Sequence, residues 1–235
     1  MYNSIPVRYY PRILADGGTR MRVITFVTQK GGSGKSTLAF CCGVRAEETG
    51  KRVLLLDMDP QATTELWYQD REAERPRLAR INPADLDQAL KGVLREGFDY
   101  VLIDTPGRDE PATAAAIRAS DFCIIPCRPT PGDMKATPAT VGTIKRLGKP
   151  AAFVLTQTPP RGSRIIEADK GLGMLGMVAP VRIVQRSAYQ DAQGMGLGVT
   201  EYEPDGKAAA EIKELWSWIV RKMEKVVHES QANVA

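Results

Sequence analysis

No stretch of the 235-residue chain approaches the ~20 consecutive apolar residues that a membrane-spanning helix needs. Residues 1–20 carry Pro6, Tyr9, Tyr10 and Pro11 but no apolar run of the signal-peptide type. Cysteine is scarce. Cys41 and Cys42 are adjacent in a helical pattern, and Cys123 and Cys127 flank a buried strand, so neither a disulfide framework nor a Cys-x-x-Cys metal site is formed. All four read as small apolar filler. Internal repeats and low-complexity linkers are missing as well. These absences argue against membrane, secreted and solenoid classes and lead to the expectation of a cytoplasmic enzyme built around one large core.

Apolar runs do occur, and they alternate with helical patterns, which predicts an α/β fold: a single-domain parallel sheet with helices on both faces. Strands are expected at 22–28, 52–57, 99–104, 121–126, 151–156 and 177–182, with a short edge strand in 72–82. Helices are expected at 35–49, 62–72, 83–96, 111–119, 133–147, 163–173, 185–193 and 205–228. The chain thus divides into an arm (1–20), one domain (21–228) and a polar tail (229–235). Residues 1–20 read as an arm, a partner-binding tail or an extended start ahead of Met21.

The chemistry is concentrated after the first strand, in Lys30-Gly31-Gly32-Ser33-Gly34-Lys35-Ser36-Thr37. Glycines allow successive backbone N–H groups to turn toward an anion, and the following helix adds the positive end of its dipole. Lys35 is placed to reach the β- and γ-phosphates and Ser36 to ligate Mg²⁺. The usual pattern has glycine five residues before Gly34; this chain has Gln29 there and a second lysine, Lys30, beside it. A lysine at the start of such a loop folds back poorly onto phosphates the loop already cradles. Its useful target is a nucleotide on a second subunit.

Two further segments end apolar strands in carboxylates, where open α/β sheets bind ligands. One is Val53 to Gln61, closing in Asp57-Met58-Asp59-Pro60-Gln61; the other is Tyr100 to Gly107, carrying Asp104-Thr105-Pro106-Gly107. Arg108 follows as a partner contact or a solvated charge. Asp57 and Asp59, two apart on an extended segment, are expected to project to one side.

With these three motifs in this order, the chain resembles the deviant Walker-A ATPases of the ParA/MinD superfamily, and the small plasmid-type ParA partition proteins within it. The resemblance covers about residues 21–225 and includes Arg186-Ser187-Ala188-Tyr189 and Glu201 to Ile212. It implies an ATPase using ATP and Mg²⁺, in which Lys30 crosses a nucleotide-sandwich homodimer in the manner of an arginine finger. It further implies catalytic roles for Lys30, Lys35 and Asp59, with Asp59 orienting the attacking water. Ser36, Asp57 and Asp104 would form the metal shell. Gly31, Gly32, Ser33, Gly34, Lys35, Ser36 and Thr37 would bind nucleotide, and the Thr156 to Arg161 loop with Pro204 and Asp205 would border the adenine. The implied partners are non-specific DNA and a ParB-like or adaptor protein, and the implied location is the nucleoid.

Charge agrees with that partner. Residues 142–190 hold eight Lys/Arg against Glu167 and Asp169, a local +6 in a chain of net +4. Such a patch suits sequence-independent contact with phosphates. Arg161, Arg164, Lys170, Arg182 and Arg186 are the candidate DNA contacts, with Arg221 and Lys222 added from the last helix. That helix repeats Ile212, Leu215, Trp216, Ile219, Met223 and Val226 at helical spacing, a stripe expected to dock on the sheet rather than on a membrane. Segregation of a plasmid or chromosome and positioning of a protein cargo are two uses of one cycle that the sequence leaves open. An iron-protein-type ATPase is disfavoured by the spacing of Cys123 and Cys127, and a small-carboxylate kinase by Lys30.

Overall fold

The computed structural model describes residues 21–107 and 110–232. The expected arm at 1–20, Arg108 and the last three residues of the tail lie outside the described residues. Seven parallel strands form one sheet in the order β3-β2-β4-β1-β5-β6-β7. They are β1 (Arg22–Phe26), β2 (Val53–Asp57), β3 (Arg77–Arg80), β4 (Tyr100–Asp104), β5 (Phe122–Cys127), β6 (Ala151–Leu155) and β7 (Met177–Val178).

The central strands are apolar on both faces because helices cover both. Ile24, Phe26, Leu55, Leu102 and Ile124 face α1 (Lys35–Glu48) and α9 (Lys207–Ala232), with α2 (Thr63–Gln69), α7 (Ser187–Gly194) and α8 (Val199–Tyr202) packed around them. On the opposite face, Val23, Leu56, Val101 and Ile103 meet α3 (Leu86–Val93) and α4 (Glu110–Ala119). Beside them Cys123, Ile125, Phe153 and Leu155 meet α5 (Pro131–Arg146) and α6 (Ser163–Gly173). All four cysteines are buried and free, as small apolar filler should be. The α9 stripe docks as expected: Ile212, Leu215, Trp216, Ile219 and Met223 are buried, and Trp216 meets Tyr100 edge-on with ring centroids 4.9 Å apart.

Several boundaries differ from the sequence expectation, each for a local reason. The last strand is two residues long, since Pro180 has no N–H to continue a ladder. The chain nevertheless keeps close to β6, with the Ile183 N–H donating to the Leu155 carbonyl (2.8 Å). Helix α5 begins at Pro131, two residues early, because Thr130 caps it by accepting the Asp133 N–H. The single helix expected over 83–96 is α3 flanked by two 3₁₀ turns, Pro83–Asp85 and Leu94–Glu96. The last helix continues through 229–232 of the expected tail, and the four-residue α8 is an addition.

Candidate nucleotide-binding site

Strand β1 sits at the centre of the sheet between β4 and β5, so its exit loop opens where the strand order reverses, the usual ligand position in such sheets. The loop turns through Gly32 (φ 71°) and Gly34 (φ 94°), and Gly34 is the residue from which α1 starts. No atom lies within 3.9 Å of a Cβ built on Gly34, so its backbone angle, not crowding, requires glycine. Two neighbours brace the loop from outside. The Thr156 hydroxyl donates to the Ser33 carbonyl and the Gln157 carboxamide to the Gly32 carbonyl, both at 2.8 Å.

The loop walls a cavity of about 750 Å³ lined by residues 30–37, by Asp59, Pro60, Gln61 and Thr63, by Pro106 and Gly107, and by Gln157. The three sequence motifs therefore meet in one place. Lys35 is buried, and its Nζ lies against Gly107, 3.6 Å from where a Cβ would stand. Lys30 is half-buried at the rim. A second cavity of about 200 Å³ shares Gly34, Thr37 and Gln157 with the first and continues along Ile183, Gln185, Tyr189, Gln190 and Gln193. Its lining carries four carboxamides, those of Gln157, Gln185, Gln190 and Gln193.

The three carboxylates have different surroundings. Asp104 is wholly buried, and burial pushes its carboxyl up to about 7. The neighbouring Ser36 and Thr64 hydroxyls and the Lys35 ammonium oppose that rise, while Asp57 adds to it. Thr64 donates to Asp104 Oδ2 at 2.8 Å, whereas Oδ1 is buried with no hydrogen-bond partner. A buried oxygen left unsatisfied beside a serine hydroxyl fits a divalent cation or its water shell. Among the described residues no three His, Cys, Asp or Glu side chains converge as a metal cage. Mg²⁺ here fits the manner usual for nucleotide sites, with few protein oxygens plus phosphates and water.

Asp57, also expected in the metal shell, does not line the cavity, and neither does Asp104. Asp57 Oδ1 accepts the Asp59 N–H (2.9 Å) and its Oδ2 the Glu65 N–H (3.0 Å), so it caps the turn after β2 and the start of α2. Burial raises its carboxyl, and those two N–H groups oppose the rise. Strand β2 ends at Asp57, so the period-two projection no longer holds and only Asp59 faces the cavity. Asp59 is half-buried and accepts the Gln61 N–H (3.0 Å). The only non-glycine residues with positive φ among those described are Ala62 (54°) and Gln157 (49°), and both flank this site. Backbone strain of that kind collects at functional loops.

Pro204 and Asp205, expected at the adenine, are exposed in the turn between α8 and α9 and line neither cavity. The smaller cavity is lined instead by the chain from Ile183 to Tyr189, which follows the short β7 to the edge of the phosphate loop. Thr64 went unnoticed in the sequence, since a threonine seven residues beyond Asp57 carries no spacing signal of its own. Among the candidate DNA contacts, Arg161, Arg164 and Lys170 are exposed on α6 and the turn before it, and Arg182 and Arg221 are exposed elsewhere. Lys222 stacks over the Trp218 ring at 5.8 Å. Arg186 is already engaged: its Nη2 and Nε donate to Glu211 Oε1 at 2.6 and 3.1 Å. Arg182 and Arg186 also share a cavity of about 610 Å³ with Asp169, Glu211 and Glu214, so carboxylates stand among these cations.

A glycine-turned loop walling a cavity at the exit of a central parallel strand, with a buried strand-end aspartate, defines a P-loop nucleotide-binding protein. Residues 24–230 match the CobQ/CobB/MinD/ParA nucleotide-binding domain, and the chain belongs to that family. Maintenance of carboxysome distribution protein A from Halothiobacillus neapolitanus is 30% identical over 203 residues, covering 81% of this chain and 93% of that protein. A probable plasmid-partitioning protein ParA from Thermus thermophilus is 31% identical over 195 residues, covering 67% of this chain and 59% of that one. Among solved structures, the septum site-determining protein MinD from Pyrococcus horikoshii with Mg-ADP superposes with a TM-score of 0.71 at 20% identity, covering 85% of this chain and 96% of its own.

Proposed function

We propose that the chain is an Mg²⁺-dependent ATPase whose ATP-bound form pairs as a sandwich dimer, holds DNA without sequence preference and releases it after partner-stimulated hydrolysis. The observation that carries this reading is the pair of lysines at one cavity: Lys35 lies buried inside against Gly107, and Lys30 stands at the rim. In this reading Lys35 serves its own nucleotide and Lys30 a neighbour's. Phosphoryl transfer asks of the protein chiefly positioning and electrostatic stabilisation. In this assignment Lys35 and the loop amides hold the phosphates, Ser36 and Asp104 hold Mg²⁺, and Asp59 orients the attacking water. The cation, when bound, neutralises charge on the phosphate oxygens. Asp57 fixes the turn that presents Asp59.

The DNA contacts fall to Arg161, Arg164, Lys170 and Arg182, with Arg221 and Lys222 as additions, while Arg186 serves the fold through Glu211. The cargo of the cycle is a plasmid or chromosome. A second reading, transport of a protein cargo over the nucleoid, is favoured by the match to a carboxysome distribution protein along 93% of that relative. In both readings the protein is nucleoid-associated and works with a ParB-like or adaptor protein. The test is DNA binding in the presence of ATP or of ADP, followed by fluorescence anisotropy on duplexes of unrelated sequence. ATP-selective binding, equal across sequences, is expected. Equal binding with ADP would contradict the cycle.

A further inference from the structure

Arg128, at the exit of β5, belongs to none of the three motifs, yet it stands beside the phosphate loop. Its Nε and Nη2 donate to the two carboxylate oxygens of Asp133 at 3.0 and 3.1 Å. Asp133 is 3% exposed and lies in the first turn of α5, where Thr130 both donates to its carboxylate and caps its N–H. A two-pronged pair on a buried, capped carboxylate holds the guanidinium in one orientation. The third nitrogen, Nη1, has no hydrogen-bond partner among the described residues and points at Gly32, 3.7 Å from where a Cβ would stand. Arg128 does not line the phosphate cavity. Gly31 and Gly32, beside Arg128, are exposed. The same helix supports the start of the loop, since the Thr140 hydroxyl accepts the Gln29 N–H at 3.4 Å. Residues of α5 thus hold Arg128 through Asp133 and brace Gln29, next to Lys30, so that Arg128 adjoins Gly32 by contact and Lys30 adjoins Gly31 in the sequence.

We propose that Arg128 acts across the dimer: in the ATP-bound pair its free Nη1 donates to a phosphate oxygen of the nucleotide held by the other copy of this chain. The inference rests on the sandwich-dimer reading above. In an isologous pair, what residue i of one copy meets on the other is met in return, so Arg128 of each copy can face the nucleotide of its partner. The phosphate chains are the anions there, and two guanidinium N–H groups left without partners are matched to them. Asp133 is the positioning residue, fixing the guanidinium so that little rotamer entropy is lost on pairing.

Arg128→Gln and Arg128→Lys test this, the first keeping a donor for Asp133 and the second keeping the charge. Affinity for a fluorescent ATP analogue is measured at protein concentrations where the chain is monomeric, and dimerisation with a non-hydrolysable analogue by light scattering. Monomer affinity should stay within about two-fold, while Arg128→Gln weakens dimerisation by about ten-fold or more and Arg128→Lys by less. A Gln variant that dimerises like the wild type overturns the inference while leaving the dimer reading intact. Loss of monomeric nucleotide binding overturns it too, by placing Arg128 on its own subunit's phosphates. If the wild type does not dimerise with the analogue, the inference and the reading beneath it fall together.

Discussion

Asp104 is ionisable, wholly buried and next to Asp57, so in the nucleotide-free protein its negative charge opposes folding. Its carboxyl titrates near 7 in the fold against an ordinary 3.8. At about 1.36 kcal/mol per unit, that gap sets an upper bound of about 4 kcal/mol on the cost of the ionised form. The folded state binds the extra proton between those two values, so stability falls as pH rises through that window and levels off above it. Asp104→Asn removes the charge, and its carbonyl can still accept from Thr64. The variant should therefore be more stable than the wild type by about 1–3 kcal/mol at about pH 8, a gain that shrinks toward zero near pH 4. Urea unfolding of nucleotide-free protein with chelator, at about pH 5 and about pH 8, reads this directly. The same variant should lose Mg²⁺-dependent hydrolysis. A variant equally or less stable at the higher pH would refute the reasoning, because Asp104 would then be held by contacts that favour its charge.

Four further outcomes are expected. Arg71 is 2% exposed on its side chain, is paired with both oxygens of Glu201 (2.7 and 2.8 Å) and lies over the Trp67 ring. Arg71→Ala should cost about 3–5 kcal/mol in urea unfolding, and Arg71→Ala/Glu201→Ala should recover part of it, since no unpaired charge remains. Asp59→Ala should bind ATP and dimerise but hydrolyse slowly and remain on DNA in a stopped-flow release assay; loss of ATP binding instead would place Asp59 in the metal shell. Arg164→Glu should weaken DNA binding without changing ATP-dependent dimerisation. In a salt series on the wild type, log K should fall against log[salt] by about 0.9 per neutralised phosphate, roughly −4 to −5 for a dimer with two or three contacts per subunit.

The parallel fold was legible because strand and helix periods differ and because buried strands of this class are apolar on both faces. The short edge strand β3 was legible for a different reason, Leu78 and Ile81 after Pro76 in 72–82. The phosphate loop was legible residue by residue, since its chemistry is local: glycines, a lysine and a serine at fixed offsets. What escaped was set by distant parts of the chain. Asp57 and Asp59 look equivalent in sequence, yet one caps a helix and the other faces the cavity, because β2 ends between them. The cavity beside the phosphate loop is lined by residues 183–193 and not by the turn at 204–205, an outcome decided by where a two-residue strand lets the chain cross the sheet edge. Arg186 looked like a surface cation until the fold brought Glu211, 25 residues on, within 2.6 Å. Arg128 gave no signal, since its meaning depends on Gly32, about a hundred residues earlier in the chain.

The account depends most on the two lysines doing different work, and light scattering with a non-hydrolysable ATP analogue separates them. Lys35→Ala should lose nucleotide binding outright, because it removes the charge that reaches the β- and γ-phosphates. Lys30→Ala should bind the analogue as a monomer with near wild-type affinity and fail to form a stable dimer. A Lys30→Ala protein that dimerises normally would contradict the crossing role of that lysine and with it the proposed cycle.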